Sequence, residues 1–371
     1  MNSYQEPLKG KRVGVVFGSF APLHQGHLDL IMRAKKENDG GAIVIVCGRD
    51  GDKGDPCNIP HSKRYRYVRE FFSDDPLVAV YGIDETALKI DEYPNGWTKW
   101  MTAFQHIYEK ATYQAPSLVW YVGDQNYYDD LSNDWGETAV LVDRTADNPI
   151  SATMIRQNPI KHWNKITHPF KRVFSTNILI TGTASEGKTT LVADLAKYFD
   201  APHSTEFARD YMNKYCVDEC ELDCADFLAF LEGQYNSNRE MIDSPGNKGI
   251  FFADTDSLVT NMYARAYAED NGCMMSPEDY EKVKLLSYQY AKKCRWDKIF
   301  LLMPGGTFVD DHVRYMGCSD ISERRKMFDG LVDSIEEVGD WDKVVILNGS
   351  YYENFITIAN YVKEIIENGK D

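Results

Sequence analysis

Residues Ile178 to Thr190 read ILITGTASEGKTT, a short β-branched apolar run that enters a loop of the form G-x-x-x-x-G-K-T and leaves through the helix-like LVADLAKYF. A strand before and a helix after is the context in which this spacing binds a triphosphate, so the stretch reads as a P-loop. A Cβ at Gly182 or Gly187 would crowd the anion or forbid the backbone angles that turn N–H groups toward it. Lys188 is expected to reach the β- and γ-phosphates of ATP and Thr189 to hold Mg²⁺, with Thr190 beside them as a further ATP-binding candidate. Such a loop ordinarily opens its domain on the first strand, so the residues before it require a separate account.

A chain of 371 residues is long enough for two domains, and 43% apolar with 26% charged residues is ordinary for a soluble globular protein. The net charge of −16 weighs against a general nucleic-acid binder, because phosphate binding needs a basic footprint. The start, MNSYQEPLKGKR, has no apolar leader core, and no uncharged apolar run approaches the ~18–20 residues that span a bilayer. A cytoplasmic protein with no membrane partner is the expectation. Eight cysteines without a C-x-x-C pair suggest free thiols. Cys216, Cys220 and Cys224 recur at four-residue steps compatible with one helix face, but they lack the tighter spacing of a metal site.

Before the P-loop, apolar runs at 11–17, 43–48, 77–83, 118–123 and 139–143 alternate with amphipathic stretches at 28–38, 61–73 and 96–112. That alternation predicts a parallel sheet with helices on its faces and ligands at the carboxyl ends of its strands. The first run enters GSFAPLHQGH, Gly18 to His27, which places His27 at a helix N-terminus. His24 and His27 can there donate to ATP phosphate oxygens, with Gly18, Phe20 and Gly26 lining the loop and Gly26 permitting close approach. A second stretch, Ile150 to Arg156 (ISATMIR), places Ser151 and Thr153 as N-cap and first-turn donors facing an anion, with Arg156 one turn on.

Other candidates have competing uses. Arg64, within HSKRYR, offers a cation for a substrate phosphate or simply a solvated helix face. Asn95-Gly96-Trp97 follows a proline, and the indole suits either stacking on a cationic pyridinium ring or core packing. Asp124 ends a strand and serves either a ribose or an Asx turn.

After Pro159, KHWNKITHPFKR is polar, basic and proline-containing, which predicts a short linker and domains of 1–165 and 166–371. In STEFARDY, Glu206 and Arg209 fall on or just before a helix after the second strand of the P-loop half, a region that faces the phosphate acceptor in P-loop kinases. GIFFADTDS ends a strand in Asp254-Thr255-Asp256, the arrangement that sets a carboxylate near the Mg²⁺ shell or the acceptor hydroxyl. Which aspartate is base and which is metal ligand stays open. Asp310, Asp311 and Arg314 in FVDDHVR suggest a mobile lid whose arginine, Arg314, neutralises the transferring phosphoryl group, whereas Arg324-Arg325 in SERRKMF reads as helix surface.

The first motif matches the H-x-G-H signature of the nucleotidyltransferase superfamily and the second its I-S-x-T-x-x-R. GSFAPLHQGH, ISATMIR, ITGTASEGKTT, STEFARDY, FADTD and FVDDHVR, in that order, resemble the bifunctional NadR family across nearly the whole chain. The resemblance implies an α/β protein of two domains, an N-terminal Rossmann-like nucleotidyltransferase and a C-terminal P-loop kinase. It further implies that nicotinamide riboside is phosphorylated to its mononucleotide, NMN, and that NMN is then adenylylated with ATP to NAD. Trp97, Asn95 and Asp124 take substrate-binding roles on this reading. Two departures stand out. About ten residues precede the first strand, too few for the DNA-binding helix-turn-helix that some members carry. Thr183 and Ala184 stand where the family's G-G-E-S-S-G-K-S has Gly-Glu. Two other readings keep the same motifs: a nucleotidyltransferase–kinase fusion with another substrate, adenylylating phosphopantetheine or transferring cytidylyl groups, and a regulator that binds NAD or ATP without turnover. Homo-oligomerisation is not legible in the residues.

Overall fold

The computed structural model describes residues 6–143, 149–270, 275–309 and 315–369. They form two units, the first running to Phe174 and the second comprising Ser175–Asn368, each built on a five-stranded parallel sheet.

In the first unit the strands are β1 (Arg12–Gly18), β2 (Ala42–Gly48), β3 (Val78–Asp84), β4 (Ser117–Val122) and β5 (Ala139–Leu141), in spatial order β3-β2-β1-β4-β5. Val13, Val15, Ile43 and Ile45 point into one apolar cluster with Trp100, Phe104 and Trp120. Val16, Val44, Val46 and Val80 point into another, against Ile31 of helix Gln25–Lys36 and Val68 of helix His61–Phe71. Covered on both faces, these strands read as nearly continuous apolar runs instead of alternating ones. Strand order reverses between β1 and β4, and in such sheets the crevice outside that point receives ligands.

The stretch expected as a linker belongs to this core. Residues 163–174 form a 3₁₀ turn, Trp163–Lys165, and a helix, His168–Phe174, burying Trp163, Ile166, Phe170, Val173 and Phe174. Thr167 donates from both its N–H (3.3 Å) and its hydroxyl (3.1 Å) to the Leu23 carbonyl, inside the H-x-G-H loop. Each large apolar side chain buried here contributes roughly 1.5–3 kcal/mol, so the segment is structural and the boundary falls after Phe174, not at 165/166. Interspersed lysines, arginines and histidines hid apolar positions spaced three and four apart.

The second unit contains β6 (Thr176–Gly182), β7 (His203–Ser204), β8 (Ile250–Asp254), β9 (Lys298–Leu302) and β10 (Val344–Leu347), in order β10-β9-β6-β8-β7. Central β6 pairs with β8 and β9, setting Ile180 beside Asp254 on one side and Phe300 on the other. This register delivers the end of β8 to the loop that follows β6. Cys216 caps helix Phe207–Tyr215, Cys220 lies in a 3₁₀ turn and Cys224 opens helix Cys224–Asp243, so the three share no helix face. Among the described residues no group of three His, Cys, Asp or Glu side chains could hold a metal ion, and no helix is long and apolar enough to cross a membrane.

Candidate active sites

The first site is built where β1 ends. His24 is the N-cap of helix Gln25–Lys36 and His27 lies in its first turn. The two imidazoles pack with centroids 3.8 Å apart, and His27 meets the buried ring of Phe20 edge-on at 5.0 Å. A Cβ on Gly26 would lie 3.3 Å from the His24 ring, tighter than side chains normally pack, so glycine lets the histidine pair adopt this position. From the second motif, Ser151 caps helix Ala152–Gln157, its hydroxyl accepting from the Met154 N–H at 3.2 Å. Arg156 donates to the Thr153 hydroxyl at 3.1 Å and to the Ala21 carbonyl at 2.6 Å. One guanidinium thus ties the two motifs together across 135 residues of sequence.

Arg64 is fully buried, donating to Asp52 Oδ2 at 2.6 Å and to the Ser19 carbonyl at 3.0 Å. Burial works to raise the Asp52 carboxyl, but the Gly54 N–H and the Arg64 guanidinium overcome it and hold the group below the usual carboxylate range. Arg64 thus ties Asp52 to the loop that follows β1. Arg64→Ala is expected to cost about 2–3 kcal/mol in denaturant unfolding, less than a fully buried pair because Asp52 keeps 14% of its side chain exposed.

Trp97 opens helix Trp97–Ala111 and stacks on Trp100, centroids 5.1 Å apart at 12°. It is 9% exposed, and Phe17, Tyr93 and Tyr127 surround it at 5.7–5.9 Å. Packing is thus one use of the indole, while its buried Nε1 has no hydrogen-bond partner among the described residues. Tyr93 lies two residues before Asn95, in the same loop, and Tyr127 ends the stretch 123–127 that follows β4. Asp124 makes the Asx turn, accepting from the Asn126 N–H at 2.9 Å, and Asn95 is exposed.

The second site forms between β6 and β8. Gly182 has φ +142° and Gly187 φ +81°; a Cβ on Gly182 would also come within 2.8 Å of the Leu302 carbonyl. Lys188, 8% exposed, donates to the Thr183 carbonyl at 2.7 Å, which folds its ammonium back over the loop. The Thr189 hydroxyl donates to Asp254 Oδ2 at 2.6 Å, and Asp254 Oδ1 is buried without a partner among the described residues. Burial pushes the Asp254 carboxyl upward against the pull of Lys188, and Glu206 adds to the rise. Glu206 is itself held by Arg209 at 2.5 Å, and the pair lines an aromatic cavity with Phe227, Phe230, Tyr263 and Tyr267. Thr190 is exposed, and Arg314, with Asp310 and Asp311, lies outside the described residues.

Asp256 faces elsewhere. Thr255, at φ +71°, turns the chain so that Asp256 caps helix Ser257–Glu269, accepting from the Leu258 N–H (3.0 Å) and the Trp296 indole N–H (3.3 Å). Burial pushes its carboxyl up to about 6. Asp254→Asn should therefore cost about 10²-fold or more in phosphoryl transfer, whereas Asp256→Asn, which keeps a capping oxygen, should cost less than about tenfold. Turnover of both purified variants checks this, and equal losses would give both aspartates catalytic roles.

The helix Ile321–Val338 carries the largest surprise. Arg324, read as surface, is 3% exposed and pairs with Glu186 of the P-loop at 2.7 Å. The signal was present, since Arg324 is in helical phase with the buried Met327, Phe328, Leu331 and Ile335.

A cytidylyltransferase-like family matches residues 15–158 and an AAA domain family residues 177–353. The trifunctional NAD biosynthesis/regulator proteins NadR of Salmonella typhimurium and Escherichia coli are 29% and 28% identical, each over 97% of this chain and 85% of their own. A crystal structure of NadR with NR superposes with a TM-score of 0.83 at 34% identity, covering 96% of this chain and 98% of that one. A second, with NAD and AMP-PNP, gives 0.82 at 34%, covering 97% and 98%.

Proposed function

The chain belongs to the NadR family, and from that premise we propose how its two units divide NAD salvage. The second phosphorylates nicotinamide riboside with ATP; the first transfers the adenylyl part of a second ATP to the resulting NMN, releasing pyrophosphate. The observation that carries this reading is that the likeness to proteins solved with NR, NAD and an ATP analogue spans both units and both transfer sites.

In the second unit the acceptor hydroxyl attacks the γ-phosphorus in line as the bond to ADP breaks. Lys188 and the P-loop N–H groups take up charge on the phosphate oxygens. Thr189 and Asp254 would hold Mg²⁺: an all-oxygen pair, one carboxylate oxygen of which has no other partner, suits a hard cation whose remaining ligands are phosphate and water. Bound there, the ion would neutralise charge on the β- and γ-phosphates. Glu206, fixed by Arg209 and lining the acceptor cavity, is placed to receive the hydroxyl proton, and the aromatic walls suit a pyridinium ring.

In the first unit no protein nucleophile is needed. The phosphate of NMN attacks the α-phosphorus of ATP, and His24, His27 and Arg156 stabilise the charge that builds as pyrophosphate leaves. The aromatic group around Trp97 is the candidate nicotinamide subsite, its unspent indole N–H a donor for the ligand. The rival substrates are separated by assay: purified protein given ATP with nicotinamide riboside, NMN or phosphopantetheine, products read by mass spectrometry. NMN and NAD from riboside are expected; ATP consumed with neither formed would end the proposal, and binding without turnover would favour the regulator.

A further inference from the structure

Building on the kinase reading above, we infer that Arg324 is a catalytic residue of phosphoryl transfer that contacts the terminal phosphate of ATP. Glu186 is the positioning residue that holds it there. Glu186 immediately precedes Gly187-Lys188, inside the loop that cradles the triphosphate. Its Oε1 accepts from Arg324 Nη1 at 2.7 Å, and its Oε2 accepts from the N–H groups of Gly305 (3.1 Å) and Gly306 (3.0 Å). Arg324 Nη2 donates to the Gly306 carbonyl at 2.8 Å. A Cβ on Gly306 would lie 2.8 Å from the Ser185 carbonyl, so only glycine lets the segment after β9 lie directly on the loop. Val309 adds an N–H to the Ser185 hydroxyl at 3.0 Å.

As a stabilising device this pair is poor. The side chains are 4% and 5% exposed, and desolvating both charges consumes most of what their attraction returns; apolar packing of equal volume would serve at least as well. Its position gives it another use. A carboxylate inside an anion cradle opposes the incoming triphosphate unless a cation accompanies it, and Arg324 is that cation. Its Nε is buried and makes no hydrogen bond among the described residues, so an edge of the guanidinium is unspent. In the transfer step the hydroxyl oxygen bonds to the γ-phosphorus, the bond to ADP breaks and the proton passes to Glu206. Charge is then spread over equatorial oxygens that a planar guanidinium matches in pairs.

The test uses the full chain with Arg324→Gln, Arg324→Lys, Glu186→Gln and the reversed pair Glu186→Arg/Arg324→Glu. Adenylyl transfer from NMN and thermal unfolding report folding of the two units. Arg324→Gln should lower kcat for riboside phosphorylation about 10²–10³-fold while KM for riboside changes less than about threefold. Arg324→Lys should recover only part, because an ammonium lacks the fork. Glu186→Gln should lose less than Arg324→Gln, since the Gly306 carbonyl still anchors the guanidinium, and the reversed pair should stay inactive. Wild-type kcat in folded Arg324→Gln or Arg324→Lys, or turnover restored by the reversed pair, would reduce Arg324 to a cross-link and overturn the inference while leaving the kinase reading intact. Failure of the unaltered protein to phosphorylate the riboside would instead sink that reading and the inference with it.

Discussion

Lys188→Ala will convert NMN and ATP to NAD at close to the wild-type rate and will phosphorylate nicotinamide riboside at least about 10³-fold more slowly. The size follows from what is removed. Lys188 is a buried ammonium at the first residue of helix Lys188–Phe199, and its hydrogen bond to the Thr183 carbonyl keeps it over the loop. Alanine at this position leaves Gly182 and Gly187 to shape the cradle but takes away the cation that follows the γ-phosphate as its charge grows. Ground-state binding of ATP should weaken less than turnover, because the loop N–H groups are retained, so kcat falls more than KM rises. The sparing of NAD formation follows from the chain's division: every residue assigned to adenylyl transfer lies in the first unit. The measurement is one time course per substrate, with products separated by mass; a parallel loss of NAD formation from NMN in a folded protein would refute independent sites.

What was legible in the sequence was local. The P-loop, the H-x-G-H loop and the β/α alternation each occupy one strand–turn–helix passage, and short-range spacing carries them. What was not legible depended on partners far along the chain. Arg64 reads as one cation on a basic helix until Asp52 and the Ser19 carbonyl close around it. Arg324 reads as surface because it sits in a charged run, SERRK; only the helical phase, and then Glu186, 138 residues away, mark it as buried. The different surroundings of Asp254 and Asp256 follow from the β6–β8 register together with the left-handed turn at Thr255, and neither can be read from the string FADTD. The expected linker failed for a related reason, its apolar positions being diluted by the basic residues between them.

His27→Ala gives the complementary result: riboside is phosphorylated normally, NMN accumulates, and adenylyl transfer falls about 10²–10³-fold. The imidazole packs on His24 at 3.8 Å and against Phe20 at 5.0 Å, at the helix start that follows β1. Removing it takes a donor from the site where pyrophosphate acquires its charge, and it also withdraws one wall from His24. Part of the loss is therefore positional, and His27→Asn, which restores a nitrogen donor without the ring, should regain less than the whole. Arg156 remains bound to the Ala21 carbonyl and Thr153, so the loop keeps its second anchor and the unit should stay folded. Given riboside and excess ATP, the unaltered protein should carry label through to NAD, Lys188→Ala should leave it in riboside, and His27→Ala should stop it at NMN. If His27→Ala also halted riboside phosphorylation while both units melted as in the wild type, one site would be serving both steps and the two-site mechanism would be wrong.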